Sequence, residues 1–387
     1  MNNISKISKD KCNGCSACYN SCLKNAIIMK KDEEGFLYPE IQNDKCINCG
    51  KCLKVCPNFN LKKVNVDEVA FACYAKDINQ HMISSSGGFF AEAAKYILSK
   101  NGTIYGAAFN TNMEVEHIGI NRIEDLNKLV GTKYVQSRIG GCFNLIKDDL
   151  RRDKYVLFSG TPCQVAGLKK FLNRDYDKLV CIDLICHGVP SPEVWSRYIA
   201  EKFETRKVTN MKFRNKENGI QKVLLQFELD DGELYSEAYR DCSYIQGFIN
   251  NFYTRRSCFS CDFKGKNRYS DVTIGDFWSI NEFHREMTSK YGVSAVIAHT
   301  NQGKALIEDI SKNLKICDAK STEIAVWNES LNEPAKLTKY RSMFYSLWQD
   351  KTVENVIKNL MTIKEKNQTE NKCFFKKMYE RIRKWLV

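Results

Sequence analysis

The sequence predicts an α/β (α+β) protein in which a small cysteine-rich module precedes a larger mixed α/β domain and a helical C-terminal tail. Eight cysteines fall within the first 60 of 387 residues. From Val69 onwards, short apolar stretches typical of strands alternate with stretches of helical periodicity, and beyond Trp327 the pattern is mostly helical. Such alternation is typical of mixed α/β domains, and the chain is long enough for two or three domains.

The eight N-terminal cysteines form two copies of one spacing. Each copy reads C-x2-C-x2-C-x3-C, and Pro57 follows the second. This spacing is typical of a bacterial ferredoxin with two [4Fe–4S] clusters, in which the fourth cysteine of each run ligates the cluster of the other run. Structural zinc, the alternative, is commonly held by two C-x2-C pairs. The expected ligand sets are Cys12, Cys15, Cys18 and Cys56 for one cluster, and Cys46, Cys49, Cys52 and Cys22 for the other.

Two short strands are predicted between the cysteine runs. Ala26–Met29 and Gly35–Pro39 are rich in apolar residues and flank a turn at Asp32–Gly35. We therefore place the two-cluster ferredoxin domain at residues 1–60, followed by a polar linker at 61–68.

The larger domain is predicted to contain ten strands and at least five helices. Its strands are expected at residues 69–75, 103–109, 115–120, 155–159, 179–185, 208–214, 223–229, 234–239, 271–277 and 293–300. Its helices are expected at residues 89–99, 123–129, 144–152 and 193–204, and in a stretch that ends at Leu172. We divide this region into an N-terminal part at 69–155, a C-terminal part at 156–326 and a basic helical tail at 327–387.

Composition narrows the functional classes. The formal net charge is +13, and three clusters of about −2 each would lower it to roughly +7. The sequence shows no zinc-finger, helix-turn-helix or aromatic–basic strand pattern, so no nucleic-acid partner is predicted. Eighteen cysteines without a signal peptide or an apolar membrane-spanning run predict a reducing, cytoplasmic location. The cysteines are then metal ligands or buried thiols.

The last residues are basic and amphipathic. Cys373–Val387 carries an apolar side made of Phe374, Phe375, Met378, Ile382, Trp385 and Leu386. A helix of this kind packs its apolar side against the protein or lies on an anionic membrane surface. A peripheral contact with the inner membrane face is therefore predicted beside the purely cytoplasmic alternative.

Four further cysteines suggest a third cluster. Cys163 and Cys186 each follow a predicted buried strand, and Cys258 and Cys261 form a C-x2-C pair. Ligands of α/β sheets bind at the carboxyl ends of strands, so these thiols can close a third [4Fe–4S] site. A zinc site or a redox-active dithiol is the alternative for the C-x2-C pair.

Three loops carry signals for a phosphate-bearing cofactor. Ser84–Gly88 opens a predicted helix, and Gly160–Thr161 lies at a strand-to-helix turn. Both offer N–H groups at the positive end of a helix dipole, although ordinary helix caps look the same. Lys133–Ser137 combines a cation, an aromatic ring and hydrogen-bonding side chains, or is simply a polar loop. No G-x-G-x-x-G follows a strand, so a standard dinucleotide fold is not predicted.

Taken in order, these segments resemble the coenzyme F-420 hydrogenase/dehydrogenase beta-subunit family. The resemblance spans about residues 70–300 and rests on Ser84–Phe89, Tyr105–Phe109, Gly131–Ser137, Gly160–Leu168, Ile185–Pro192, Arg256–Cys261 and Ser270–Trp278. It implies a flavoprotein that binds FAD beside a [4Fe–4S] cluster. In the best-known members the hydride-type partner of the flavin is the deazaflavin coenzyme.

The resemblance also implies which residues hold the cofactors. FAD contacts are expected near Ser86, Gly87, Gly88, Lys133, Tyr134, Gln136, Ser137 and Thr161. The cluster beside the flavin is expected on Cys163, Cys186, Cys258 and Cys261. His187 is a candidate proton donor, or a histidine held by the backbone of a tight turn. Arg256 is a candidate cluster counter-charge or a surface ion pair, and Asp276 a flavin contact or a strand-end cap.

The predicted function is electron relay. Single electrons pass between ferredoxin-type clusters and FAD, which reduces or oxidises an unidentified small molecule by two electrons. Ferredoxin-fused members also occur in bacteria, often beside surface-polysaccharide genes, so the resemblance implies a link to that metabolism. The expected partner is a ferredoxin or a partner subunit. The alternatives are an electron carrier that only docks its partners, and a cluster-based sensor.

Overall fold

The computed structural model describes residues 2–59, 68–265 and 268–367. Most of the predicted linker, at 61–67, and the amphipathic end at 373–387 with its predicted membrane contact lie outside the described residues. Among the helices that are described, none combines the length and apolarity that crossing a bilayer requires.

The N-terminal module is a small two-helix, two-strand unit built around its cysteines. Its elements are α1 (Ala17–Ser21), β1 (Ile27–Lys31), β2 (Leu37–Ile41), α2 (Lys51–Lys54) and the 3-10 helices Ile4–Lys6 and Pro57–Phe59. The strands pair antiparallel, with Ile27 opposite Ile41. Because a core this small buries few apolar side chains, several cysteines complete it, and Cys18, Cys52 and Cys56 lie among the buried residues.

The rest of the chain forms two sheets. Its strands are β3 (Val69–Ala75), β4 (Thr103–Phe109), β5 (Val115–Ile120), β6 (Val156–Ser159), β7 (Leu179–Leu184), β8 (Val208–Asn215), β9 (Leu224–Leu229), β10 (Leu234–Ala238), β11 (Val272–Asp276), β12 (Ser294–Ala298) and β13 (Leu314–Ala319). The large sheet has the order β13-β3-β12-β11-β7-β6-β4-β5, and the small one β10-β9-β8. The parts predicted at 69–155 and 156–326 therefore share the large sheet.

Helices surround both sheets. They are α3 (Ile78–Ile83), α4 (Phe89–Ser99), α5 (Cys142–Arg151), α6 (Pro162–Leu172), α7 (Pro192–Phe203), α8 (Ser243–Ile249), α9 (Ile280–Phe283), α10 (Asn301–Ile310), α11 (Ser321–Ala325), α12 (Lys339–Leu347) and α13 (353–367). Short 3-10 helices span Ile123–Lys128, Ile220–Lys222, Arg256–Ser260, Arg285–Met287, Ser311–Asn313 and Glu329–Leu331. The mixed α/β architecture and all twelve predicted strands, including the two of the N-terminal module, are confirmed.

Some elements differ from the sequence prediction. The helix predicted at 123–129 is a 3-10 helix, while α3, α8, α9, α10, α11 and β13 come in addition to the elements predicted for the larger domain. Among the described strands, β13 pairs with β3 alone, and it is mostly half-buried or exposed. An edge strand of this kind lacks the continuous apolar run that marks a central parallel strand.

The centre of the large sheet is parallel. Strands β4, β6, β7 and β11 run in one direction, whereas the outer strands β5, β12, β3 and β13 pair antiparallel. Inner parallel strands are covered on both faces, which explains their apolar residues; Val156, Leu157 and Phe158 are all buried. The carboxyl ends of β6 and β7 therefore point to the same sheet edge, where α/β proteins bind ligands.

The small sheet and the last described helices form an aromatic core. Trp195 of α7 is fully buried among Phe213, Phe227 and Tyr244, and its indole N–H donates to the Met113 carbonyl at 2.8 Å. Side chains of α12 and α13, including Phe344, pack on the same core. The C-terminal helices thus complete the domain up to residue 367.

A buried carboxylate joins the N-terminal module to the rest of the chain. Glu34, in the turn between β1 and β2, is 3% exposed. It accepts from Arg256 Nε at 3.1 Å and Nη2 at 2.7 Å, and both of its oxygens accept from Arg341 of α12. Burial opposes ionisation of Glu34, but the two guanidinium groups outweigh it and lower its pKa.

We expect the Glu34→Gln variant to be destabilised by about 3 kcal/mol, because it leaves the buried Arg341 without its anion. The pKa of Glu34 in the folded chain lies below 4.5, so its stabilising contribution is present above that pH and is lost as the pH falls through the lowered pKa. Anaerobic denaturant titration followed by far-UV circular dichroism measures the effect. The neighbouring Glu33→Gln is the control, since the Glu33 side chain is 68% exposed and pairs with Lys9 at the surface. Equal losses in both variants would contradict the role of Glu34.

Candidate functional site

Four thiols meet in one cavity at the carboxyl edge of the large sheet. Cys163 lies in the first turn of α6, directly after β6, and Cys186 follows β7. Cys258 and Cys261 come from the 3-10 helix Arg256–Ser260 and the residue after it. The wall of the cavity comprises Asn13, Thr161, Pro162, Cys163, Cys186, His187, Gly188, Val189, Arg255, Ser257, Cys258, Cys261 and Lys264. We call it the inner cavity and its four cysteines the inner set.

The inner set has the electrostatics of a site for an iron–sulfur cluster. Burial, followed by the neighbouring Cys186, raises the pKa of Cys258 to about 12. Burial and the other three thiols also raise the pKa of Cys163 well above its usual value. Four half-buried thiols this close cannot all ionise unless a cation compensates their charge. Iron supplies that charge, so the donor set fits a [4Fe–4S] cluster.

The structure also brings together the first predicted N-terminal set. Cys12, Cys15, Cys18 and Cys56 are all buried. Burial and the neighbouring Cys56 raise the pKa of Cys15 to about 12, and Cys15, Cys12 and Cys56 contribute to the raised pKa of Cys18. We call these four residues the proximal set, because they are the N-terminal thiols nearest the inner cavity.

The remaining N-terminal cysteines, Cys22, Cys46, Cys49 and Cys52, form the distal set. Cys52 is buried, Cys49 is exposed, and Cys22 and Cys46 are half-buried. Burial raises the pKa of Cys52, and the neighbouring Cys49 adds to that rise. The sulfur of Cys46 accepts from the Asn3 side chain at 3.7 Å, and that of Cys22 accepts from the Ala26 N–H at 3.3 Å. Such N–H donors are the groups that tune cluster potentials.

The helix that begins at the inner set also touches the proximal set. Gly167 lies four residues after Cys163 on α6, and a Cβ placed there would lie 2.9 Å from the sulfur of Cys15. Only glycine permits this close approach of the helix to the N-terminal module. The same helix therefore lies against thiols of both sets.

A buried arginine that the sequence reading overlooked lies between the two sets. Arg255 is 0% exposed, and its Nε donates to the Cys12 carbonyl at 2.8 Å. Its Nη1 donates to Gln136 Oε1 and its Nη2 to the Leu37 carbonyl, both at 3.0 Å. Gln136 Nε2 donates in turn to the carbonyl of Asn13 at 2.9 Å, and Asn13 lines the inner cavity. All three acceptors of the Arg255 guanidinium are neutral.

Two more cations flank the inner set. Lys264 donates to the carbonyls of Cys186 and Ser330, and Arg268 forms a buried ion pair with Asp183 at 3.2 Å. Burial raises the pKa of Cys261, and the charges of Lys264 and Arg268 partly offset that rise. The inner cavity thus has the positive surroundings that suit a cluster of about −2 charge.

The other polar candidates have defined partners. His187 lines the inner cavity, contacts Asn251 Oδ1 at 3.0 Å, and has a pKa lowered by burial and by Lys264. Arg256 forms an ion pair with Glu34, the alternative considered for it, and Asp276 accepts from Arg214 at 2.7 and 3.2 Å. The neutral imidazole of His187 can therefore accept or relay a proton at the cavity wall.

Two of the three predicted cofactor loops meet. The Thr132 hydroxyl donates to Ser85 Oγ at 2.6 Å, which joins the Ser84–Gly88 loop to the Gly131–Ser137 loop. Gly87 packs so tightly that a Cβ would lie 2.2 Å from the Cys73 carbonyl oxygen, and its N–H donates to Ser294 Oγ at 2.9 Å. Gly88 precedes the first turn of α4, and Ser86 donates to the Val293 carbonyl. The loop is therefore held in one conformation by β3 and β12.

The remaining predicted FAD residues are spread between that loop and the inner cavity. Lys133 Nζ donates to the carbonyls of residues 128–130, and burial lowers its pKa to about 7. Tyr134 packs in an aromatic group with Phe213 and Phe248. Ser137 Oγ accepts from Gln164 at 3.0 Å, and Gln164 forms a capping box with Thr161, which itself lines the inner cavity. The Gln136 side chain accepts from Arg255 and donates to the Asn13 carbonyl, so it faces the N-terminal module.

A second overlooked cation lies beside the Ser84–Gly88 loop. Lys216 is buried and donates to the Ser86 carbonyl at 2.7 Å, and also to those of His81 and Tyr291. Burial and the neighbouring Arg214 lower the pKa of Lys216 to about 7. Sequence reasoning could not distinguish it from other lysines, since β8 ends one residue before it without a recognisable motif.

Comparisons with known proteins find two regions of similarity in this chain. Residues 153–322 match the model for the C terminus of the beta subunit in the family described as coenzyme F420 hydrogenase/dehydrogenase, and residues 11–60 match the 4Fe-4S dicluster domain. An uncharacterized ferredoxin of Methanocaldococcus jannaschii is 39% identical over 51 residues, which cover 13% of this chain and 65% of that protein. This chain thus spans under two thirds of that relative.

A solved chain from the xenon-derivatised F420-reducing [NiFe] hydrogenase complex of Methanosarcina barkeri is also similar. It is 14% identical with a TM-score of 0.46, and the match covers 78% of this chain and 92% of that chain. The family matches are the stronger finding, because they include the inner set and the two N-terminal cysteine runs. Residues 153–322 are therefore similar to the C terminus of the coenzyme F420 hydrogenase/dehydrogenase beta subunit, and residues 11–60 are similar to a 4Fe-4S dicluster domain.

Proposed function

We propose that this chain is an iron–sulfur flavoprotein oxidoreductase that relays single electrons between its N-terminal clusters and FAD for a two-electron reaction on a small molecule. One observation carries the proposal: the four thiols of the inner set share a cavity with Asn13, the residue that follows Cys12 of the proximal set. When bound, the clusters supply one-electron steps and FAD converts them into two-electron chemistry. The third cluster and FAD are part of this proposal.

The protein's own contribution is to fix the order of the centres. The distal set lies at the surface, the proximal set is buried against α6, and the inner set begins at the same helix. Arg255 and Gln136 hold the Cys12–Gly14 loop in place from the large domain. Such a series of sites suits transfer in either direction, and direction then depends on the relative potentials of the centres.

The flavin would lie between the Ser84–Gly88 loop and the inner cavity. Half-buried Lys133 and buried Lys216 supply positive charge near the loops, and α4 begins there without a side-chain cap. His187 at the cavity wall is suited to hold or pass a proton. A deazaflavin coenzyme is the natural first acceptor to test, because the family description names it. A small molecule of surface-polysaccharide metabolism is the second.

A partner subunit or a ferredoxin is the proposed source of electrons, and no nucleic acid takes part. The rival role, a carrier that docks partners without turnover, requires clusters but no flavin. The cofactor content of the protein therefore distinguishes the two.

The decisive test is the cofactor content of protein purified anaerobically. Iron, acid-labile sulfide and the absorbance of released flavin are measured per chain. We expect about twelve iron atoms for three cubane clusters, together with about one FAD. About eight iron atoms and no flavin would leave only the carrier role.

FAD affinity is expected to fall as the pH rises from 7 to 9. Lys216 faces Arg214 and Asp276, Lys133 faces backbone carbonyls, and both lysines have a pKa of about 7. A phosphate-bearing ligand favours the charged amines, so binding takes up protons above pH 7, and affinity drops by up to about tenfold per pH unit for each proton. Ultrafiltration of deflavinated protein with FAD at fixed ionic strength measures it. In Lys216→Gln the slope should become shallower; a flat profile in the unmodified protein would contradict the placement of the flavin.

A further inference from the structure

The distal set is the exposed end of the chain of thiols. Cys49 is exposed and Cys22 and Cys46 are half-buried, whereas all four members of the proximal set are buried. Electron transfer between proteins requires the two centres to come close. An external one-electron carrier therefore has its nearest approach at the distal set.

Two large apolar side chains project beside this exposed end. Leu23 is 83% exposed and follows Cys22, and Ile47 is 64% exposed and follows Cys46. Exposed apolar side chains clustered beside a functional group are typical of protein contact surfaces. They give this surface a small apolar centre.

Cations surround that centre. Lys24, Lys45, Lys51 and Lys54 are all exposed and belong to the two loops that supply the distal set. Asp44 is the one acidic residue within 22–25 and 43–54. Lys9 and Lys30, which form ion pairs within the module, and Lys11 and Lys31, which form ion pairs with the large domain, belong to other segments of the module.

The positive surface continues onto the large domain. Burial first, then the neighbouring Arg151, Lys51 and Arg174, lower the pKa of Lys147 on α5, and Asp148 offsets this only in part. Four cations from both domains thus repel one another at one place. Their repulsion costs stability, and an anionic partner would relieve it.

The position of α5 is set by contacts with the N-terminal module. The Asn144 side chain donates to Asn20 Oδ1 at 3.0 Å, and the Asn20 side chain donates to the Gly140 carbonyl at 2.8 Å. Lys147 of α5 and Lys51 of the distal loops therefore lie near each other. We call these two lysines and the exposed residues of the distal loops the docking face, which comprises Leu23, Lys24, Lys45, Ile47, Lys51 and Lys147.

We propose that the docking face binds an acidic protein electron carrier, which exchanges one electron with the centre held by the distal set. The inference rests on the proposed function, because the electron must pass inwards to be useful. In the step, the reduced carrier loses one electron and the oxidised centre of this chain gains it, with no bond or proton changed. Nucleic acid fits this surface less well. The exposed apolar side chains of Leu23 and Ile47 do not complement a phosphate backbone, and binding of nucleic acid would give no role to the exposed Cys49.

The test is stopped-flow electron transfer into the oxidised holoprotein. Reduced plant-type [2Fe–2S] ferredoxin, an acidic one-electron carrier, is the donor, and the reduced methyl viologen radical, a small cation, is the second donor. We expect the second-order rate constant with ferredoxin to fall as salt rises, because complementary charges steer the encounter. The double variant Lys51→Glu, Lys147→Glu should lower that constant at low salt by about 10- to 100-fold.

A matched variant separates local from net charge. Lys207→Glu, Lys212→Glu changes the net charge equally, and of its two exposed lysines one lies in β8 and the other just before it. It should lower the ferredoxin rate less than about twofold, and methyl viologen should reduce all three proteins at similar or higher rates. Ferredoxin rates that are equal in both variants and independent of salt, while the viologen still reduces the protein, would overturn the docking face. Failure of the viologen to reduce the unmodified protein would instead overturn the electron relay itself.

Discussion

Replacing Cys258 with alanine is expected to remove about four of about twelve iron atoms and to stop electron transfer from the N-terminal clusters to FAD. Cys258 is one of four thiols that line the inner cavity, and its pKa of about 12 shows how strongly burial and Cys186 oppose its ionisation without a metal. A cubane cluster that loses one thiolate is left with three ligands and an open iron. We therefore expect the whole inner cluster to be lost, since water reaches the exposed iron.

The N-terminal clusters should survive this change. None of the eight N-terminal cysteines, all of which the structure describes, lines the inner cavity. Iron and sulfide analysis, together with electron paramagnetic resonance of the dithionite-reduced protein, measures which centres remain. Flavin that is still present should then stay oxidised when reduced ferredoxin is the donor. The Cys258→Ser variant is a second test, because a serine oxygen binds iron more weakly but preserves the shape of the loop.

Cys317→Ser is the matched control. Cys317 is half-buried on the edge strand β13 and belongs to none of the three sets. It should keep all of the iron. A Cys258→Ala protein that is folded by circular dichroism and still holds about twelve iron atoms would show that the inner set does not bind a cluster.

Replacing Arg255 with glutamine is expected to make the proximal and inner centres harder to reduce and to destabilise the protein by about 3 kcal/mol. Arg255 is fully buried, and its three acceptors are neutral oxygens of Cys12, Leu37 and Gln136. Its positive charge partly offsets the raised pKa values of Cys15 and Cys258, one thiol from each set. A buried cation of this kind stabilises any added negative charge nearby, including an electron.

The guanidinium also lies against two aromatic rings of the N-terminal module. Its carbon is 4.2 Å from the centroid of Tyr38 and 5.2 Å from that of Phe36. The faces of both rings attract the guanidinium, but the rings carry no net charge and therefore do not neutralise it. Removal of Arg255 therefore has two consequences: the Cys12 loop loses its donor, and the centres on both sides lose a positive neighbour.

Redox titration followed by electron paramagnetic resonance separates the two consequences. In Arg255→Gln, the potentials of the proximal and inner centres should become more negative while that of the distal centre stays near its original value. Arg255→Lys, which keeps the charge but not the three-way hydrogen bonding, should recover most of the potential and little of the stability.

The adjacent Arg256→Gln is the control for position. The Arg256 side chain is 41% exposed and paired with Glu34, so solvent and the carboxylate screen its charge and its loss should leave the potentials nearly unchanged. A potential shift of equal size in both variants would mean that Arg255 has no special position between the two sets. Unchanged potentials in Arg255→Gln would contradict its electrostatic role directly.

Local patterns in the sequence were sufficient for the secondary structure of most of the molecule. The central strands β6 and β7 are short apolar runs bounded by turn residues, and their bounds differ from the prediction by a single residue. Their carboxyl ends identify Cys163 and Cys186 as neighbours. Elements at the edge, such as β13, were missed because their half-exposed residues lack a distinctive period.

The functional residues divide in a similar way. Cysteine spacing predicted the two N-terminal sets, because a cluster of this type takes three of its ligands from one short loop. The ends of two strands, a C-x2-C pair and the family resemblance predicted the inner set. The cations that surround them were not predictable: Arg255 is adjacent to Arg256 in sequence but was not considered, and Arg256 forms an ion pair, the alternative given for it beside a cluster counter-charge. Lys216 was missed for the same reason. The sequence does not indicate whether a particular charged side chain is buried.

The sequence alone determined the fold class, and it predicted the grouping of the cysteines and the resemblance to a known family, because each depends on patterns along the chain. The tertiary structure alone decided which cations lie between the sets, which end of the thiol series reaches the surface, and how Glu34 joins the module to α12. Those features come from residues tens to hundreds of positions apart. Their burial and electric field exist only once the two domains have packed together.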